Sequence, residues 1–216
     1  MTPARGASDA AIAHGLAADA DLVVRRADPG DAARVDAFAL ETLRAGFFHR
    51  AGWTRAVCEE FGHEDRSLVA ERGGQVVGVM PLALCRGLRG GKALISTPYG
   101  VYGGPIGADG EAERALFDEA EREALALGVG RLELRCLEDP GLGLPESDLH
   151  ATFIKDLGDD PASVLPGMPK KSRADARKAR KTHGLELHEG RWYLPDLVRL
   201  FHRNKHSLGS PALPAS

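Results

Sequence analysis

The chain has 216 residues, of which 43% are hydrophobic and 27% charged, with a formal net charge of -3. That content can bury a real core in one domain or a little more, and no apolar run reaches the roughly 18 residues of a membrane helix, which excludes a transmembrane segment. A pI near 6.2 excludes a surface coated all over with basic charge, so DNA is not expected as a partner.

Residues 1–21 are Ala-rich and lack the apolar core of a signal peptide, which predicts a disordered tail on a cytoplasmic protein. LVVRRAD then reads as a strand. DPGDAARVDAFALETLRAG reads as a helix capped by Asp28, opened by Pro29 and stopped at Gly46, with Val35, Phe38, Ala39, Thr42 and Leu43 on one face. FFHRAGWTRAVCEEFGH predicts a second helix that buries Phe48, Trp53, Val57 and Phe61. RSLVAE and QVVGVMPLALC flank Arg72-Gly73-Gly74 as a hairpin, with a bulge or bend expected at Gly78 and Pro81.

KALISTP is a further strand, leading through YGVYGGPIG into the helix GEAERALFDEAEREALALG, whose buried stripe is Leu116, Ala120, Ala124 and Leu127. RLELRCL alternates as a half-buried strand, and HATFIKDL closes the unit as a last strand near Leu157. The order predicts an α/β domain over 22–157, a mixed sheet flanked by helices. A linker over 158–169 follows. Residues 170–216 then hold a basic helix, a strand LELHEG and a helix LPDLVRLFHRNKHSLG, read as the incomplete start of a second domain.

The basic helix concentrates charge. Seven of the chain's 28 basic residues and one of its 31 acidic residues lie between Lys170 and Lys181, so that segment carries +6 and the remainder -9. At helical spacing Lys170, Arg173, Arg177 and Arg180 form one stripe, flanked by Lys171, Lys178 and Lys181 and opposed by the small face Ser172, Ala176 and Ala179. Such a stripe lacks acidic partners and gains from phosphate oxygens, so all seven cations are candidate phosphate ligands. The alternative is a solvated helix face.

The loop YGVYGGPIG matches neither a dinucleotide fingerprint, nor a P-loop, nor the pyrophosphate loop of acetyl-CoA enzymes. It reads as a structural turn with Tyr99, Tyr102, Gly103 and Gly104 lining a cleft. No cofactor is expected. His202 and His206 stand four apart without a third ligand, so no metal is expected either. Cys58, Cys85 and Cys136 are widely spaced core thiols, and neither a disulfide framework nor a nucleophile elbow is present.

The ordered series HRAGWTRAVCEEFGH, VAERGGQVVGVMPL, STPYGVYGGP, LHATFIKDL and PKKSRADARKARKTHGL, from about Phe47 to Leu208, resembles FemAB-like proteins of the GNAT superfamily, in particular the branch associated with exosortase/PEP-CTERM systems. The resemblance implies two GNAT-like domains in tandem, the second beginning with the basic helix and incomplete over 170–216. It also implies an aminoacyltransferase or N-acyltransferase acting on cell-envelope precursors such as peptidoglycan or exopolysaccharide. A nucleotide-linked precursor or an aminoacyl-tRNA would be its partner. No catalytic base is assigned: Asp148 and His150 fit the place, but an ordinary surface pair fits it better. The second reading is a non-catalytic module whose basic helix grips RNA or nucleotide-sugar phosphates.

Overall fold

In a computed structural model of the chain, which describes residues 20–87, 90–147, 151–210 and 212, the elements fall into two units, Met1–Leu144 and Pro145–Ser216. Residues 1–19 of the expected tail, with Asp148 and His150, lie outside the described residues.

The first unit runs β1 (Leu22–Arg26), α1 (Ala32–Glu41), α2 (Ala51–Phe61), β2 (Glu64–Asp65), β3 (Leu68–Arg72), β4 (Gln75–Met80), β5 (Ala83–Arg86), β6 (Lys92–Ile95), β7 (Ile106–Gly107), α3 (Gly110–Leu127) and β8 (Leu132–Glu133). One antiparallel sheet has the order β1-β3-β4-β7 and the other the order β2-β5-β6-β8, in which β6 and β8 alone are parallel. The chain crosses between sheets at Pro81 and Leu82, where a proline without an N–H ends the first ladder.

Side chains alternate along each strand, so the sheets carry two cores. Leu68, Ala70, Met80, Leu82, Leu84 and Leu94 pack beneath Ala112, Leu116 and Ala120 of α3, and on the opposite face Val69 and Val79 meet Val35 of α1. Ala70 pairs with Gly78 while Glu71 pairs with Val76, which leaves Val77 as a bulge. Beside it, a Cβ on Gly78 would lie 3.0 Å from Leu116 Cδ1, so the glycine lets α3 sit down on the sheet. The bend and bulge expected at Pro81 and Gly78 are both present.

Asp28 caps a short 3-10 turn, Pro29–Asp31, with the Asp31 carboxylate accepting from the Asp28 N–H in return. The helix then ends at Glu41 rather than at Gly46, because the Thr42 hydroxyl and N–H both bond back to the Phe38 carbonyl and Thr42 turns extended. Leu43 is therefore 100% exposed instead of on the buried face.

Two expected strands are absent. Residues 151–157 and 185–190 carry no strand assignment, and Phe153 and Leu187 are 96% and 89% exposed. Alternation becomes a strand only beside a paired strand, and neither segment joins either of the two sheets. The second unit contains α4 (Pro161–Val164), α5 (Lys170–His183) and α6 (Leu194–Ser207), none of which has a buried residue.

Candidate functional site

The parallel pair β6–β8 parts at a defined point. Leu94 and Ser96 donate their N–H groups to the carbonyls of Arg131 and Glu133, and the next rung would run from residue 98 to the Arg135 carbonyl. Residue 98 is proline and has no N–H to give. The Arg135 carbonyl instead accepts from Gly103 N–H at 2.7 Å, and the Arg135 N–H turns to the Ser96 hydroxyl at 2.8 Å. A side chain and a loop amide thus replace the ladder, and the chain from Ser96 to Gly104 leaves the sheet.

That loop is held under strain. Thr97, Tyr99 and Tyr102 have φ of 54°, 61° and 58°, a left-handed conformation costly for residues with a side chain. The Arg135 guanidinium bonds the Gly100 carbonyl at 3.0 Å and the Glu133 carboxylate at 2.8 Å, which clamps the loop to β8. From the other side His49, which is buried, accepts from Gly46 N–H through Nδ1 at 3.0 Å. Its Nε2–H therefore donates to the Gly104 carbonyl at 3.1 Å. Burial lowers the His49 pKa below 6.5 and keeps it neutral.

Two cavities meet at His63. One, of about 420 Å³, lies between α1, α2 and the strands, lined by Asp31, His49, Thr54, Ser67 and Met80 among others. The second, of about 540 Å³, lies over β5, β6 and β8. His63 lines both, and its Nδ1 is buried without a hydrogen-bond partner among the described residues. Burial lowers its pKa too, which favours the neutral ring. Its ring lies parallel to Tyr99, with Phe61 stacked on Tyr99 at 4.1 Å between centroids.

Of the four loop residues expected to line a cleft, Tyr99 lies along the second of these cavities. Tyr102 lines neither cavity, and Gly103 and Gly104 are buried as packing positions. The Gly103 N–H is spent on Arg135, the Gly107 N–H on Glu113, and the N-terminus of α3 is capped by Asp109 with Glu111 and Glu113 in its first turn. Three carboxylates thus occupy the positive end of the α3 dipole.

The basic stripe does form on one helix. Lys170, Lys171, Arg173, Arg177, Lys178, Arg180 and Lys181 all lie on α5, and none has an ion pair among the described residues. The exception to the expected exposure is Arg173, which is partly buried with its Nε lacking a hydrogen-bond partner. Burial pushes the Cys58 and Cys136 thiols up to about 12 and about 11, which leaves them protonated and poor nucleophiles. Among the described residues no cluster could hold a metal, and no helix is long and apolar enough to cross a membrane. Sequence reading gave His63 no role. Its only local signal was a histidine directly after the helix-ending Gly62.

No protein-family model and no curated protein matches the sequence. Among solved structures the chain is similar to an aminoglycoside acetyltransferase from an uncultured soil metagenomic sample, at 15% identity and a TM-score of 0.45 over 63% of this chain and 99% of that one. It is similar to a ribosomal-protein-alanine N-acetyltransferase from Brucella melitensis, at 16% identity and a TM-score of 0.43 over 62% of this chain and 99% of that one. A GNAT family acetyltransferase from the same organism, solved in complex with acetyl-CoA, aligns at 19% identity and a TM-score of 0.42 over 56% of this chain and 79% of that one. The structural neighbours named here are thus acetyltransferases; the chemistry open to this chain follows from its own residues.

Proposed function

We propose that the first unit is an acyl-transfer domain of the GNAT type that moves an acyl group from an activated carbonyl to an amine. The observation that carries this reading is the parting of a parallel strand pair at Pro98, beside a cavity that Pro98 and His63 both line. In the reaction the amine nitrogen bonds to the carbonyl carbon, the donor's carbon–oxygen or carbon–sulfur bond breaks, and the amine proton passes by way of the His63 imidazole to the leaving oxygen or sulfur.

The finer reading is FemAB-like: the donor is an aminoacyl-tRNA and the acceptor an amine of a cell-envelope precursor. It is supported by the carboxylates that fill the N-terminus of α3, which disfavour a coenzyme pyrophosphate there. It is supported equally by the unpaired cations of α5, suited to phosphates. The second reading, a module that holds RNA or a nucleotide-linked sugar without chemistry, rests on α5 alone.

The test supplies the full chain with labelled aminoacyl-tRNA or acetyl-CoA and a peptide amine. Expected is transfer from aminoacyl-tRNA only, with kcat about 100-fold lower in His63→Gln and KM unchanged. Full activity in His63→Gln removes the histidine from the mechanism. Tight tRNA binding with no transfer to any amine leaves the binding module.

A further inference from the structure

The cavity between α1, α2 and the strands has a length and a wall that the acyl-transfer reading does not use. Ala51, Thr54 and Cys58 recur at three and four residues along α2, with Glu59 beside Cys58, and all four line it, so the space follows the helix as a channel. From Ala51 to Glu59 is about 12 Å of helix, the length of an unbranched chain of about ten carbons. At about 420 Å³ the channel far exceeds the voids of a close-packed core. An apolar cavity of about 150 Å³ is already enough to take up benzene.

Its deep wall is apolar. Val35, Val69, Val79 and Cys58 are buried in it, and a protonated thiol packs as a small hydrophobe. Asp31 and His49, buried in the same wall, are already bonded, the first to Arg25 and Arg34 and the second to the Gly46 N–H and the Gly104 carbonyl. Free charge lies at the C-terminal end of α2. There Glu59 and Asp65 are exposed, line the channel together with His63, and have no ion pair among the described residues. The helix adds the negative end of its own dipole. Of the two arginines in the lining, Arg50 is bound to Asp36 at 2.8 Å and Arg55 stands one turn back from Glu59. A channel that is apolar along its length and anionic at one end suits a cation on an apolar stem.

We propose that this channel binds a primary amine on an unbranched aliphatic stem of that length, with the ammonium at Glu59 and Asp65 and the stem along α2 toward Val35. His63 also lines the second cavity, so a nitrogen held there lies where the two cavities meet. The inference rests on the acyl-transfer reading for calling this amine the acceptor, while the binding itself requires no transfer.

The experiment measures equilibrium binding of decylamine, butylamine, decanol and decanoate to the full chain, each below its micelle concentration. Expected is saturable binding of decylamine, with butylamine weaker by about 100-fold or more and decanoate not bound. The double variant Glu59→Gln, Asp65→Asn should weaken decylamine about tenfold and leave decanol unchanged. Thr54→Leu, which narrows the channel without touching its charge, should weaken decylamine and decanol alike while still unfolding cooperatively. Equal binding of decylamine and butylamine overturns the proposal, as does decanoate bound as tightly as decylamine. A folded Thr54→Leu variant that binds decylamine as the wild type does also overturns it. Decylamine bound but acylated from neither aminoacyl-tRNA nor acetyl-CoA upholds the channel's ligand and counts against acyl transfer; acylation of a peptide amine without decylamine binding does the reverse.

Discussion

A Cβ placed on Gly103 would fall 1.5 Å from Thr97 Oγ1, closer than any two non-bonded atoms can approach. The loop therefore closes on itself only with a hydrogen at that position, although Gly103 does not need a left-handed φ. Gly103→Ala should cost about 3 kcal/mol by overpacking, read as a lowered urea midpoint. Gly52→Ala is the contrast: in α2 a Cβ there meets nothing within 4 Å, so it should stabilise by a few tenths to about 1 kcal/mol through helix propensity.

Asp31 is buried and bonded to Arg25 at 2.7 and 2.8 Å, with Arg34 at 3.1 Å. The Arg25 hydrogen bonds hold its carboxyl down to about 2 from an ordinary 3.8. The unfolded chain thus takes up this proton first as pH falls. Its stabilisation, about 2 kcal/mol, is complete above pH about 4 and lost as pH drops through about 2. Asp31→Asn should lower stability at pH 7 and flatten the acid limb of the stability profile, checked by urea titrations at stepped pH.

His49 gives the opposite kind of group, a base kept neutral by burial. Its folded pKa lies below 6.5, so the unfolded chain binds the proton more readily and stability declines as pH falls beneath about 6.5. His49→Ala strands the Gly46 N–H and the Gly104 carbonyl. A loss of about 2 kcal/mol follows, together with faster amide exchange of Gly46 and no decline of the kind His49 gives between pH 6.5 and 5.

The helix α5 supplies the salt test. Because Arg173 is partly buried, Arg177 and Arg180 are the informative pair. Changing both to Gln should leave Tm unchanged and flatten the slope of log tRNA affinity against log salt by about one unit or more. An unchanged slope makes α5 a solvated helix.

Local chemistry made most of the first unit readable. Asp28 and Pro29 mark a helix start, Gly73 and Gly74 a hairpin, and Pro81 a break, because each acts within a few residues of itself. The alternation in RLELRCL was read as a seven-residue strand, yet β8 keeps two residues. Its partner chain loses a donor at Pro98, a fact about another segment that alternation cannot register. The candidate site was less legible for the same reason. Tyr99 came into view through its glycine-rich surroundings, whereas the place of His63 between two cavities depends on the packing of α2 against distant strands.

The outer strands of both sheets have a bearing on how the protein behaves when crowded. The edge strands are β1 and β7 in one sheet and β2 and β8 in the other, and all but β1 are two residues long. A two-residue rim is too short to template a neighbouring copy, and β1 ends in Arg25 and Arg26, charges that resist edge-to-edge pairing. The fold thus guards its own margins against fibril-like growth. Substituting valine for Arg26, which is bound at β1's end to Glu123, would remove a gatekeeper, and turbidity at high concentration would register its loss before any change in secondary structure.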